Sequence, residues 1–299
     1  MSVVKLENIH RSYEKGLPVL KGIDLTVQAG EVVALVGRNG AGKTSLLRIA
    51  MGLIHAQRGT VRIFDLDPWE RPVEVKTRIG YVSEEQLLPG YLTVREVLDL
   101  HRALYPSWDE GLARELSERF AMKTAAKVGT LSKGEARQVA FLCAIAHRPA
   151  LLILDEPAGG LDPAMRRDFL EAAITRLNRD GTAILFSSHH MTDIERIASR
   201  VVLIHQGRKW IDTDLDRLRE GYSVAALPTD VDEARLQRLP ACVSLRRRPG
   251  GLYATLALPP EEAAALIREA ISGASPQCRT LPLEDLFIEM VEGTPCSKL

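Results

Sequence analysis

Glu31-Val32-Val33-Ala34-Leu35-Val36, followed at once by Gly37-Arg38-Asn39-Gly40-Ala41-Gly42-Lys43-Thr44, is the stretch on which the reading of this chain turns. The apolar run reads as a buried strand, and apolar residues at helical spacing over Thr44 to Leu53 read as the helix that follows. Between them the glycines match G-x-x-x-x-G-K-[ST] in the context that pattern requires, a loop leaving a strand and opening a helix. Glycines let successive backbone N–H groups converge on an anion, and the helix start adds partial positive charge. Lys43 then reaches the β and γ phosphates of a nucleotide and the Thr44 hydroxyl is placed for Mg²⁺, while Gly37, Arg38, Asn39, Gly40, Ala41, Gly42 and Ser45 complete the phosphate-binding run.

Downstream, Leu151-Leu152-Ile153-Leu154-Asp155-Glu156 is an apolar strand ending in two acids. Such a strand delivers both carboxylates to the carboxyl edge of a sheet, where doubly wound proteins bind their ligands. Asp155 suits the Mg²⁺ shell, and Glu156 is placed to take a proton from an attacking water. Further apolar strands at Ala183 to Ser187 and Val201 to His205, with helical segments Ala164 to Arg179 and Met191 to Ser199 between the runs, imply a parallel α/β sheet. From about Thr93 to His147 the patterning is helical throughout, which reads as a helical insertion into that domain.

After Gly221 the texture changes. Strand 222–227, helix 229–239, strands 242–248 and 252–258, helix 260–272 and strand 277–281 form β-α-β-β-α-β, the order of a ferredoxin-like α+β unit, with a last helix near 283–291. The expected domains are therefore 1–220, with the helical subdomain at about 93–147, and an accessory domain over 221–299. The arginine run Arg246 to Arg248 reads as a solvated strand end or hairpin edge.

Composition narrows the classes of function. The 299 residues carry 39 Lys plus Arg against 39 Asp plus Glu, so there is no net field to draw in nucleic acid or anionic lipid. At 45% hydrophobic and 26% charged the chain is globular and not disordered. Its apolar runs fall well short of the roughly 18–20 residues a membrane span requires. The opening MSVVKLENIH alternates like a strand and lacks a signal-peptide core, so a cytosolic protein is expected. Cys143, Cys242, Cys278 and Cys296 are scattered without a C-x-x-C pair and are expected to be plain thiols, neither a disulfide framework nor a zinc site. The terminal Ser297-Lys298-Leu299 has the form of a peroxisomal address but reads as chance in this setting.

With these motifs in place, the chain resembles the ATP-binding cassette (ABC) ATPases. Leu131-Ser132-Lys133-Gly134-Glu135 resembles the family signature LSGGQ, Gly160-Leu161-Asp162-Pro163 resembles the D-loop, and Ser187-Ser188-His189 resembles the switch-histidine segment. Their order matches over residues 1 to about 215. The resemblance implies ATP and Mg²⁺ as ligands and a head-to-tail pair of cassettes, in which Ser132 and the backbone around Gly134 contact the γ phosphate held by the partner's loop. It also implies that His189, and not His190, meets the γ phosphate, that Tyr13 stacks on adenine, and that Asp162 belongs to the D-loop. Glu84 stands where the family has the Q-loop glutamine, the nearest glutamine being Gln86; a carboxylate there still serves Mg²⁺ as an oxygen ligand. Lys133 and Glu135 replace glycine and glutamine in the signature.

By the same resemblance the chain is expected to be the ATPase subunit of a transporter whose permease is a separate chain, met through Ser83 to Thr93 and the helical insertion, on the inner face of the membrane. Glu84, the LSKGE signature and the C-terminal PLEDLFIEM look most like cassettes of two-component exporters. The rival reading is a soluble ABC ATPase acting on ribosomes or nucleic acid, against which stand the single cassette and the neutral charge.

Overall fold

The N-terminal strands alternate buried and exposed positions because only one face of their sheet meets the core. β1 (Ser2–Ser12) pairs antiparallel with β2 (Pro18–Gln28). β3 (Val32–Val36) is instead buried at every position. It leads through the glycine loop to α1 (Lys43–Ala50), β4 (Arg58–Ile63), the short α2 (Pro72–Lys76) and β5 (Ile79–Val82). The helical insertion follows as α3 (Val94–Leu104), α4 (Glu110–Arg119) and α5 (Lys133–Ile145), and then come β6 (Leu151–Asp155), β7 (Ala183–Ser187), β8 (Arg200–His205) and β9 (Arg208–Asp214). A helix at Met191–Ile197 joins β7 to β8. The computed structural model describes residues 1–13, 16–84, 88–157, 178, 181–271 and 274–296. Gln86, the D-loop with Asp162, the helix expected over Ala164 to Arg179 apart from Asn178, and the terminal Ser297 to Leu299 lie outside the described residues.

Two sheets enclose one core. Strand order β5-β6-β7-β3-β8-β9 builds the larger sheet, in which β5–β6, β6–β7, β7–β3 and β3–β8 are parallel, as the apolar runs imply. The antiparallel sheet β2-β1-β4 supplies the other layer. Leu46, Leu47, Ile49 and Ala50 of α1 are buried in a core that also takes Ile9, Ile23, Leu35 and Ile153. The helix ends earlier than the expected Leu53, because Gly52 turns into left-handed backbone at φ 62° with its N–H on the Ile49 carbonyl at 3.0 Å.

Contacts divide the chain into two units, Met1–Asp212 and Thr213–Leu299. In the second, β10 (Ser223–Leu227), β11 (Cys242–Arg248), β12 (Gly251–Leu256) and β13 (Gln277–Arg279) stand in the order β13-β10-β12-β11, every pair antiparallel. Helices at Glu233–Gln237 and Pro260–Ala270 lie between them, so the elements follow one another as β-α-β-β-α-β. The first of these helices is shorter than expected, since Asp232 caps it by accepting the Ala234 N–H at 2.9 Å. The last helix, Leu283–Glu292, is followed by β14 (Thr294–Pro295), which adds to the edge of β11.

β14 also brings Cys296 beside Cys242, and the two are joined as a disulfide with Cα atoms 5.8 Å apart. This corrects the expectation of four plain thiols; a separation of 54 residues conceals the pairing in the sequence. Cys143 and Cys278 are free, and burial pushes the Cys143 thiol up to about 12. The arginine run is neutralised within its own unit: Arg246 pairs with Glu289 and Glu292, Arg247 with Glu233, and Arg248 with Glu289.

The helical insertion meets the larger sheet at Gly80 of β5. A Cβ there would stand 2.1 Å from the Ala144 carbonyl oxygen of α5 and 3.0 Å from Leu152 Cδ1. Gly80→Ala must therefore displace backbone, and it is expected to lower stability by about 2 kcal/mol or more, toward the upper end for overpacked sites. The check is a lower urea midpoint at unchanged slope.

Candidate functional site

The site is built where β3, β6 and β7 end. Parallel register sets Asp155 opposite Ser187 at the last rung of β6 and β7, and the glycine loop leaves β3 beside them. Gly42 closes the loop in left-handed backbone, φ 106°, and a Cβ on it would fall 2.6 Å from Leu20 Cδ2. No side chain caps α1, so its leading N–H groups face the loop as donors for an anion.

Lys43 is buried, its ammonium donating to the Gly37 carbonyl at 2.7 Å and lying 3.8 Å from Glu156 Oε1. Thr44 Oγ1 donates to Asp155 Oδ1 at 3.1 Å. The hydroxyls of Ser45 and Tyr13 are hydrogen-bonded at 3.0 Å, which fixes the Tyr13 ring at the rim of the loop. Glu156 adopts left-handed backbone, φ 48°, and its Oε2 lies 2.7 Å from Nδ1 of His189. A cavity of about 390 Å³ brings together Tyr13, Asn39 to Ser45, Glu84, Glu156 and His189, residues drawn from five separate stretches of sequence. Gly37 and Arg38 are outside its lining, and Arg38 is exposed.

The signature residues are in a different place. Ser132 is the N-cap of α5: its hydroxyl accepts the Glu135 N–H at 3.2 Å, and the Glu135 carboxylate accepts the Ser132 N–H at 2.8 Å. Leu131, Ser132, Lys133, Gly134 and Glu135 contribute nothing to the cavity lining.

Two residues with no role assigned from the sequence emerge. Ser187, fully buried, donates from its hydroxyl to Asp155 Oδ1 at 2.7 Å and accepts the Glu156 N–H at 2.9 Å. Arg137, buried on α5, donates to the Glu84 carbonyl at 2.7 Å; burial pulls its pKa down while the charges of Glu84 and Glu156 oppose that shift. Nothing local in the sequence signals either contact, since both depend on which elements become neighbours.

The oxygen set at the loop suits a hard divalent cation. Thr44 and Asp155 already converge within hydrogen-bond distance, and Mg²⁺ is ordinarily held by one or two protein oxygens together with phosphates and water. Among the described residues there is no cluster of three His, Cys, Asp or Glu that could hold a metal ion.

A sequence model of the family described as ABC transporter matches residues 20–159. The chain is 33% identical over 272 residues to the ABC transporter ATP-binding protein YtrB of Bacillus subtilis (strain 168), covering 89% of this chain and 91% of that protein. It is 35% identical over 211 residues to the Nod factor export ATP-binding protein I of Burkholderia lata, covering 69% of each. Among solved structures, an ATP-binding subunit of an ABC transporter superposes with a TM-score of 0.67 at 29% identity, over 73% of this chain and 92% of that one. The dimeric bacterial ABC transporter cassette MJ0796 superposes at 0.64 with 25% identity, over 71% and 98%. The fold and the phosphate loop define an ABC ATPase cassette, and the chain belongs to the family of ABC transporter ATP-binding proteins. It is an ATP-binding and ATP-hydrolysing transporter subunit, and among the described residues no helix is long and apolar enough to cross a membrane.

The signature cap is pH-sensitive. The Lys123 ammonium, then the Ser132 N–H, hold the Glu135 carboxyl down at about 2, from an ordinary 4.5. A depressed carboxylate stabilises fully above its unfolded value and loses that contribution as pH falls toward its folded value. The unfolding temperature is therefore expected to fall between pH 4.5 and about 2 less steeply in Glu135→Gln than in the unsubstituted chain. Thermal unfolding across that window is the measurement.

Proposed function

We propose that the chain powers export through a separate transmembrane chain, hydrolysing ATP held between two cassettes with Glu156 as general base. The observation that carries this reading is the placement of Glu156, one oxygen 3.8 Å from the Lys43 ammonium and the other 2.7 Å from His189, at the mouth of the phosphate loop. Lys43 neutralises charge on the β and γ phosphates, and the loop N–H groups cradle them. Glu156 takes the proton as water attacks the γ phosphorus and ADP leaves, with His189 orienting that water and Glu156 together. Tyr13 offers its ring to adenine. Thr44, Asp155 and Glu84 are the residues that would hold Mg²⁺, which when bound would neutralise charge developing on the phosphates.

The signature requires a second cassette. Ser132 and Gly134 open α5, whose N-terminal dipole favours an anion, yet they lie outside the cavity of their own chain. Support for a pair comes from the dimeric bacterial cassette, and support for export from the Nod factor export relative. Asp162 is assigned to the D-loop by its motif. No observation among the described residues favours action on ribosomes or nucleic acid.

Glu156→Gln is expected to leave ATP affinity intact and to lower turnover by about 10²–10⁴-fold, the usual range for a positioned acid or base. Lys43→Ala is expected to lower ATP affinity itself. Calorimetry alongside phosphate release separates the two, and near-normal turnover by Glu156→Gln excludes it as the base.

A further inference from the structure

We propose that Ser187 is a positioning residue for hydrolysis, a single buried hydroxyl that assigns the neighbouring carboxylates Asp155 and Glu156 to separate tasks. The inference rests on the roles of those two carboxylates proposed above.

Adjacent residues on a strand point to opposite faces, so Asp155 and Glu156 reach one phosphate site only if the chain turns between them. It does so by placing Glu156 in left-handed backbone, φ 48°, a conformation that glycine adopts freely and a residue with a Cβ does not. Such a residue persists where its surroundings hold it, and here the hold is the Ser187 hydroxyl accepting the Glu156 N–H at 2.9 Å. The same oxygen donates its proton to Asp155 Oδ1 at 2.7 Å, on the oxygen that also accepts from Thr44 at 3.1 Å. Asp155 is thus turned toward the Thr44 side of the loop and Glu156 toward Lys43 and His189.

The job demands a group that donates and accepts at once. A hydroxyl does both, an alanine methyl neither, and a thiol both only weakly. Ser187 is fully buried, so water has no access to replace it. Parallel register delivers it, because Asp155 and Ser187 are partners at the end of β6 and β7.

The test compares Ser187→Ala, Ser187→Cys and Ser187→Thr with Glu156→Gln in the full chain. It measures ATP affinity by calorimetry with and without Mg²⁺, hydrolysis against Mg²⁺ concentration, and thermal unfolding. Ser187→Ala is expected to lower kcat by about 10–100-fold and to reduce the gain in ATP affinity that Mg²⁺ confers by about tenfold, the scale seen for groups that orient metal ligands. Its Mg²⁺-free ATP affinity is expected to stay within about twofold, because the phosphate loop is untouched. Ser187→Cys should follow alanine, and Ser187→Thr should recover most of both losses. The proposal is overturned if Ser187→Ala keeps normal kcat and Mg²⁺ dependence, or if all three variants merely unfold the chain, which would make the hydroxyl structural. Turnover by Glu156→Gln would sink the carboxylate reading itself; an inactive Glu156→Gln beside a normal Ser187→Ala would sink only this proposal.

Discussion

One carboxylate oxygen holds the phosphate site together. Asp155 Oδ1 accepts from Thr44 on α1 and from Ser187 on β7, so the helix that opens at the phosphate loop, the strand that ends in Asp155 and the strand beside it share one acceptor. Charge-assisted hydrogen bonds of this kind are strong and geometrically selective, and this one is buried, with Asp155 only 1% exposed. The cluster exists because three parallel strands, β3, β7 and β6, end at the same level. A slip of one residue in the β6–β7 register would set Asp155 and Ser187 on opposite faces of the sheet and separate the two partners.

How much of this was legible in the sequence follows from how local each signal is. The phosphate loop and the Asp155-Glu156 pair are contiguous strings whose chemistry is stated by neighbours in the chain, and each is found where the strand reading puts it. β3 is apolar throughout, and β6, β7 and β8 carry apolar runs of four residues, Leu151 to Leu154, Ala183 to Phe186 and Val201 to Ile204, because both faces of their sheet are covered. β2, β4 and β9 are half-exposed strands whose period-2 signal is diluted in the sequence; in β4 only Val61 and Ile63 are buried. In the sequence Ser187 belongs to a histidine motif, and its hydrogen bond to Asp155, 32 residues away, leaves no local signal. Arg137 sits in a stretch that reads simply as helix, and its contact with Glu84 spans 53 residues.

The departure at Glu84 has a physical setting that its motif lacked. A carboxylate at that position adds negative charge beside Glu156, and the buried Arg137 guanidinium of α5 holds the Glu84 backbone with a compensating charge nearby. The helix that bears the signature at its first turn thus also grips the loop carrying Glu84 at its second. In the second unit, by contrast, the basic run is accounted for by carboxylates of the same unit, so its charges serve the unit's own packing.

The account stands on the phosphate loop and the signature belonging to different active sites. Mixing two inactive chains, Lys43→Ala and Ser132→Arg, tests this most directly. In a mixed dimer one site carries both lesions and the other carries none, so phosphate release is expected to rise above that of either parent alone. Heterodimers that form yet release no more phosphate than the parents would contradict it.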